Sequence, residues 1–335
     1  MSGAALVTGC AGFIGSKVTE LLLEQGRRVV GVDNVNDTYD PGLKEWRLGR
    51  LVERKGFEFQ RADVTDAAAM ARLFDEQRRS AEGTPFGAVV NLAARAGVRQ
   101  SLVDPKAYFD TNVYGALNLL ELCRKHGIKK YVLASSSSVY GARNGIQRQA
   151  FREDDDTSKP LSPYASSKKS AETLCYTYYY LYGQDVSVLR FFTVYGPAGR
   201  PDMSLFRFVK WVHEGEPVRV FGDGTQSRDF TYVEDIARGV VAAMRPMGFE
   251  IINLGSDAPV ALNEAIRVVS NAVGKKAVVK YEPPQEADVP ATWADITKAR
   301  RLLDWAPKTN FEEGIGRAAR WYRDNRDWAK TISTA

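Results

Sequence analysis

Tyr164 and Lys168 stand four residues apart in the segment YASSK, a spacing that brings both side chains to one face of a helix about one turn apart. A phenol with a pKa near ~10 is a poor base at neutral pH. A neighbouring ammonium favours the phenolate and lowers that pKa, and a second cation in the site does the same. Just upstream, the run Ser135-Ser136-Ser137-Ser138-Val139-Tyr140-Gly141 offers a hydroxyl that can hydrogen-bond a reacting oxygen. Phenol, ammonium and hydroxyl together suit removal of an alcohol proton while the carbon gives up a hydride. The same spacing occurs in Tyr/Lys pairs on solvated helices, so this chemistry needs a hydride acceptor nearby.

Residues 5–33 supply a place for one. Strand Ala5–Thr8 runs into Gly9-Cys10-Ala11-Gly12-Phe13-Ile14-Gly15, then a helix, then strand Val29–Asp33. Glycines at 9, 12 and 15 permit a tight turn, close approach of backbone to a pyrophosphate, and packing of helix on strand; the helix N-terminus then faces the phosphates. Asp33 follows Gly15 by 18 residues, near the ~20 expected of the acid that binds the adenosine ribose. A carboxylate there repels a 2′-phosphate, so NAD is expected rather than NADP. The spacing is GxxGxxG rather than GxGxxG, and a glycine turn can also serve packing alone. Asp63-Val64, after a third strand, and Leu92-Ala93-Ala94, after a fourth, are where adenine and the rest of the cofactor should lie. Asp63 alternatively caps the helix that begins near Asp66.

These residues need a frame. Segments Ala5–Thr8, Val29–Asp33, Phe57–Gln60, Ala88–Leu92, Tyr131–Ser135 and Val186–Phe192 read as strands. Helical stretches near 13–25, 43–54, 66–78, 104–125 and 163–182 alternate with them. This alternation argues an α/β fold with a doubly wound parallel sheet of Rossmann type. After residue 193 turn signals cluster, as in Gly196-Pro197-Ala198-Gly199-Arg200-Pro201 and Gly222-Asp223-Gly224, the texture of a smaller α/β lobe over the strand ends, where ligands bind. Further helical stretches near 233–245, 262–273 and 311–324 contribute to both lobes. The expected division is 1–192 for the nucleotide-binding domain, with about 225–255 returning to it, and 193–335 mostly for a substrate lobe.

The composition limits the alternatives. The 335 residues carry 46 Lys+Arg against 41 Asp+Glu, a net charge of +5, and no block of like charges. That balance does not suggest nucleic-acid binding, but it suits an anionic small molecule. Three cysteines without CxxC spacing and two histidines exclude a disulfide framework and a Cys/His metal site, so no metal is expected. No apolar run approaches the ~18 residues of a membrane span. The opening MSGAALVTG lacks the features of a signal peptide, which leads to the expectation of a cytoplasmic protein.

From TGCAGFIG through LRFFTVYGP and FGDGTQSRDFTYVEDI to WADITKAR, nearly the whole chain resembles the extended short-chain dehydrogenase/reductases, the group of nucleotide-sugar epimerases, dehydratases and decarboxylases. NDTYDPGLKEWRL, SSSSVYG and RFFTVYGPAGRPDM most resemble the UDP-glucuronate 4-epimerases. The resemblance implies a tightly held NAD, oxidation at sugar C4, reorientation of the keto-sugar and hydride return to its other face. It assigns the catalytic hydroxyl to Ser136, the base to Tyr164 and its partner to Lys168. To the cofactor set (Gly9, Gly12, Gly15, Asp33, Asp63, Val64, Leu92, Ala93, Ala94, Tyr164, Lys168) it adds Phe13, Ile14, Asn34 and Asn112. Ser136, Ser137, Ser138, Tyr164, Thr193, Arg200, Arg228 and Asp288 become the substrate set. Arg228 matches the arginine that grips the diphosphate, Arg200 a second anion-facing arginine, and Asp288 the acid near the nucleoside. Arg228 can instead pair with Asp229 or Asp235, and Asp288 can be a solvated loop acid. Arg95 and Ala287 depart from the Gln and Gly usual in the group.

Decarboxylases of this group show Glu, and dehydratases Asp-Glu, where this chain has Ser137 and Ser138. These serines and Thr193 supply neutral hydroxyls that can hold a carboxylate without offering an acid or base for elimination. The implied reaction is UDP-glucuronate to UDP-galacturonate, an isomerisation. A UDP-glucose/galactose 4-epimerase, a UDP-glucuronate decarboxylase and a non-catalytic NAD-binding sensor are the alternatives. The stretch 162–182 carries Leu174, Tyr178, Leu181 and Tyr182 as an apolar stripe. Because relatives pair the helices near 104–125 and 162–182 across a two-fold axis, a homodimer is expected.

Overall fold

Alternating strands and helices build a seven-stranded, all-parallel sheet in the computed structural model, which describes residues 3–79, 84–142, 149–284 and 289–334. Its first half runs β1 (Ala5–Thr8), α1 (Phe13–Glu24), β2 (Val29–Asp33), α2 (Pro41–Val52), β3 (Phe57–Arg61), α3 (Ala67–Arg79) and β4 (Ala88–Asn91). Helices α4 (Val98–Val103) and α5 (Pro105–Phe109), a π-helical turn at Asp110–Tyr114, and α6 (Gly115–His126) lead to β5 (Lys130–Ser136). A 3₁₀ turn at Ser137–Tyr140, the long α7 (Pro163–Tyr182) and β6 (Asp185–Phe191) follow. With a later strand, β10 (Phe249–Leu254), at its edge, the strand order β10-β6-β5-β4-β1-β2-β3 reverses direction between β1 and β4, the switch point where ligands settle in doubly wound sheets.

The two-residue period of a strand sorts the core onto both faces of this sheet. Ala5 and Val7 of β1, Val132 and Ala134 of β5, and Leu189 and Phe191 of β6 face one layer of helices. Leu6, Tyr131, Leu133, Val186 and Val188 face the other. Burial on both sides is why apolar residues dominate the middle of these strands, with the buried Ser187 and Arg190 of β6 as exceptions.

Beyond β6 come β7 (Thr193–Tyr195), α8 (Ser204–Glu214), β8 (Val218–Phe221), β9 (Ser227–Tyr232) and α9 (Val233–Ala242). The chain continues through β10 (Phe249–Leu254), β11 (Pro259–Ala261), α10 (Leu262–Val273), β12 (Val279–Glu282), α11 (Thr297–Leu303), α12 (Phe311–Asp324) and α13 (Arg326–Ala329). Strands β7, β9 and β11 form a small sheet, and β8 pairs with β12. Both lie over a separate core in which α8, α10 and α12 bury Phe206, Val209, Val269, Ile315 and Tyr322. Strand β10 returns to the large sheet beside β6, and Ala299 and Leu303 of α11 join one of its core layers.

The helix expected near 104–125 is interrupted. Asn112 lies in the π turn, and its buried amide accepts from Arg95 N–H at 2.9 Å and donates to Arg95 C=O at 3.0 Å and to Ser167 Oγ at 2.9 Å. The wider turn brings this side chain inward between the β4 loop and α7. Among the described residues, no helix is long and apolar enough to cross a membrane, and no group of three His, Cys, Asp or Glu side chains is placed to hold a metal.

Candidate active site

The ends of β1, β2, β4 and β5 open into one cavity of about 550 Å³. The strand ends are tied together: Thr8 Oγ1 donates to Asn91 Oδ1 at 2.7 Å and accepts from Ala93 N–H at 3.2 Å, while Asn91 donates to Tyr131 Oη at 2.8 Å. The glycine turn crosses this knot. Gly9 has φ +71, and a Cβ there would lie 2.8 Å from the Leu92–Ala93 peptide; a Cβ at Gly15 would lie 2.0 Å from Gly9 O. Only bare backbone passes between β1, α1 and the β4 loop. Asp33 sits at the cavity edge, its Oδ2 accepting from Ala11 N–H at 3.0 Å and its Oδ1 from Val35 N–H at 2.8 Å. The carboxylate is thus aimed by main chain and keeps lone pairs for a diol. Asn34 donates to Asp63 Oδ2 at 2.6 Å. Burial raises the Asp63 carboxyl, but hydrogen bonds from Thr65 and Asn34 outweigh it and leave its pKa below the usual value. Gly9, Gly12, Phe13, Ile14, Gly15, Asp33, Asn34, Asp63, Val64, Leu92, Ala93 and Ala94 all line the cavity. A dinucleotide fits this cradle: glycines where a phosphate must approach, a helix N-terminus beside them, and a carboxylate beyond.

Helix α7 delivers the second group. Ser162 caps it through Ala165 N–H at 3.2 Å with Pro163 in its first turn, so Tyr164 enters the cavity at the helix start. Its ring packs edge-on against Tyr108 at 6.0 Å. Burial raises the Tyr164 pKa above the usual phenol value, opposed by a hydrogen bond with Ser136 and by the charge of Arg200. Lys168, one turn on and buried, donates to Ala134 O at 2.8 Å. Burial brings its pKa down to about 8, with the Glu172 charge opposing. Glu172 is itself saturated by Arg190 at 2.8 and 2.9 Å and by the Ser135 hydroxyl at 2.6 Å. Ser136, Ser137, Ser138 and Thr193 line the same cavity.

The opposite wall is basic. Arg200 pairs with Asp202 and donates to Ala96 O at 3.0 Å. Arg228 faces the cavity and donates to Ser227 O at 2.9 Å. Of the two neighbouring carboxylates, Asp229 accepts from the N–H groups of Ser256, Asp257 and Ala294, and Asp235 from Arg238 and Thr309 N–H. Lys44, Arg95, Arg99, Arg207 and Arg219 also line the cavity, and of these only Arg95 stood out in the sequence, as a departure. Lys44 had a readable signal. With Arg47, Leu48 and Leu51 it occupies one buried helical stripe, where a cation needs a reason. Arg99, Arg207 and Arg219 come from α4, α8 and β8, and nothing local announces that they meet.

Two expected residues stand apart. Asn112 does not line the cavity: its amide is spent on Arg95 and Ser167, so it braces the β4 loop against α7 instead of facing a ligand. Asp288, like Ala287, lies outside the described residues.

Residues 5–255 match the family described as the NAD dependent epimerase/dehydratase family. The chain is 51% identical to a UDP-glucuronate 4-epimerase of Thermodesulfobacterium geofontis, over 98% of this chain and 99% of that protein. It superimposes with a TM-score of 0.87 on the Bacillus cereus UDP-glucuronic acid 4-epimerase in complex with UDP-glucuronic acid and NAD, at 34% identity over 96% of this chain and 99% of that one. The Thermotoga maritima UDP-glucose 4-epimerase with UDP-glucose matches with the same TM-score at 31% identity, covering 96% and 99%. Sequence, sheet order and cavity agree, and the chain belongs to the NAD dependent epimerase/dehydratase family.

Proposed function

We propose that this protein is an isomerase that interconverts UDP-glucuronate and UDP-galacturonate by 4-epimerisation. The observation that carries this reading is a set of neutral hydroxyls, Ser136, Ser137, Ser138 and Thr193, in one cavity with Tyr164 and Lys168. When bound, NAD supplies the hydride acceptor and, later, the donor. Tyr164 takes the proton of the C4 hydroxyl, Ser136 orients that oxygen, and Lys168 keeps a positive charge near the phenolate. The resulting 4-keto-sugar turns over within the cavity and receives hydride on its other face as Tyr164 returns the proton. A C4 ketone makes the sugar a β-keto acid. Loss of CO2 is fastest when the breaking C5–C6 bond stands perpendicular to the carbonyl plane. Ser137, Ser138 and Thr193 hold the carboxylate out of that alignment with weakly acidic hydroxyl donors in place of a carboxylic acid. Arg228 takes the diphosphate, Arg200 a second anionic group, and Asp288 the nucleoside side.

In this reading residues 1–192, with later segments, form the cofactor domain, and 193–335 mostly form the sugar-nucleotide lobe. Exposed Tyr176, Tyr180, Leu181 and Tyr182 on α7 support a homodimer built on α6 and α7. Three free, buried cysteines suit a reducing compartment such as the cytoplasm. The test is a product assay with UDP-glucuronate and no added cofactor, following isomer and CO2 together. UDP-galacturonate with little CO2 is expected. Pentose product, or faster turnover of UDP-glucose than of UDP-glucuronate, would overturn the assignment.

A further inference from the structure

Arg47, on α2, is almost fully buried at 3% exposure, and among the described residues no carboxylate pairs with it. Its guanidinium is spent on oxygens of three separate segments. Nη1 donates to Ala11 O at 3.3 Å, in the glycine turn, and to Tyr39 Oη at 2.7 Å. Nε and Nη2 donate to Ala198 O at 3.1 and 2.6 Å, and Nη2 reaches Gly199 O at 3.2 Å. The two peptide groups that flank the Ala11 Cα are therefore both held, the N–H by Asp33 and the carbonyl by Arg47. Ala198 holds a left-handed backbone, φ +50, that a non-glycine residue adopts only under constraint, and Arg200 follows two residues later. The Tyr39 ring packs against both Arg47 and Arg200. One planar, rigid fork thus spans the cofactor turn and the loop that presents Arg200.

We propose that Arg47 is a positioning residue that couples the two halves of the site: a sugar nucleotide held by the Arg200 loop and a dinucleotide held by the glycine turn restrain each other through it. The inference rests on the function proposed above. A ligand that orders the 198–200 segment fixes two of the oxygens that Arg47 binds, and a fixed guanidinium holds the Ala11 carbonyl. By linkage the effect is reciprocal. Lysine keeps the charge, but its single ammonium cannot span both loops.

The test follows exchange of labelled NAD into the purified holoprotein, with and without UDP-glucuronate, and assays conversion in the same samples. In the wild-type protein, saturating UDP-glucuronate should slow NAD exchange by at least ~5-fold, the lower end of ordinary coupling. In Arg47→Lys and Arg47→Met the slowing should fall below twofold. Amide hydrogen exchange reads the same link with no substitution: adding UDP-glucuronate to the wild-type holoprotein should lower exchange at residues 9–12 as well as at 198–202. Unslowed NAD exchange in the wild type, protection confined to 198–202, or full coupling in Arg47→Lys would each overturn the proposal. A wild-type protein that does not convert UDP-glucuronate would instead overturn the function on which it rests.

Discussion

The pH behaviour of the site turns on two buried groups, the phenol of Tyr164, whose pKa burial raises, and the ammonium of Lys168, whose pKa burial lowers. The folded pKa of Lys168, about 8, lies below the ordinary lysine value near ~10.4. Between those limits the unfolded chain binds more protons than the folded one, so this group makes stability rise with pH across that window. Activity moves the other way, because the phenolate loses its cationic neighbour. The holoprotein should show an alkaline limb in kcat/KM near pH 8, and Lys168→Arg should move it up by about a unit or more; an unmoved limb would assign it to another group. Tyr164→Phe keeps the ring against Tyr108 but removes the base. Turnover should fall by ~10²–10⁴ with NAD content unchanged, as measured by single-turnover kinetics and cofactor release. Thr193→Val keeps shape and deletes one hydroxyl that contributes ~1–3 kcal/mol to a charged acceptor. KM for UDP-glucuronate and the CO2 share should both rise. If neither changes, the hydroxyl clamp is wrong and a neutral UDP-hexose is the better substrate.

At the scale of elements, the join between α7 and β6 carries an unusual charge. Arg190 and Glu172, with side chains 2% and 1% exposed, form a bidentate pair behind Lys168, and the Arg190 guanidinium stacks 4.7 Å from the Tyr140 ring centroid. A buried pair adds little over apolar packing, but losing one partner strands a charge at a cost of ~3–5 kcal/mol. Arg190→Met should therefore lower the unfolding free energy in denaturant titrations by ~3–5 kcal/mol, whereas Arg190→Met with Glu172→Leu should recover most of the loss. A single-variant loss well under ~1 kcal/mol would mean that water reaches the pair. The glycine turn is intolerant of substitution for a simpler reason, since the contacts at Gly9 and Gly15 leave no room for a side chain.

At the scale of the molecule, the expected stripe on α7 divides. Leu174 and Tyr178 pack inward, with Tyr178 donating to Glu121 of α6, while Leu181 and Tyr182 stay 57% and 48% exposed. With Tyr176 and Tyr180 they leave an apolar face beside α6 that a monomer rarely shows. Light scattering at micromolar concentration should give twice the 37.2 kDa of one chain, and Tyr180→Asp with Leu181→Asp should halve it. A wild-type mass of one chain would place this face elsewhere than a dimer interface.

Residues 5–33 were legible because their constraints are local: a turn that admits no Cβ, a helix beginning at its end, and an acid closing the next strand. The same holds for Tyr164 and Lys168, whose juxtaposition needs only one helical turn. Strands β1 and β2 have the expected bounds, β3 and β4 differ from expectation by a residue at one end, and β5 and β6 by a residue at each end, because buried parallel strands are written as short apolar runs between turn signals. Strand β10, α8, α11 and the π turn at Asn112 lacked that clarity. A stretch near 225–255 is expected to return to the first domain, but the bounds of β10 within it depend on long-range pairing with β6, and the widened turn follows from what Asn112 meets across the fold. The basic wall was hidden for the same reason. Arg99, Arg207 and Arg219 are ordinary surface residues by local pattern, and the stripe that holds Arg47 does not say which oxygens it meets. Only packing of one lobe against the other turns the first three toward one cavity and closes the last between two loops, because electrostatics and hydrogen bonding act through space rather than along the chain.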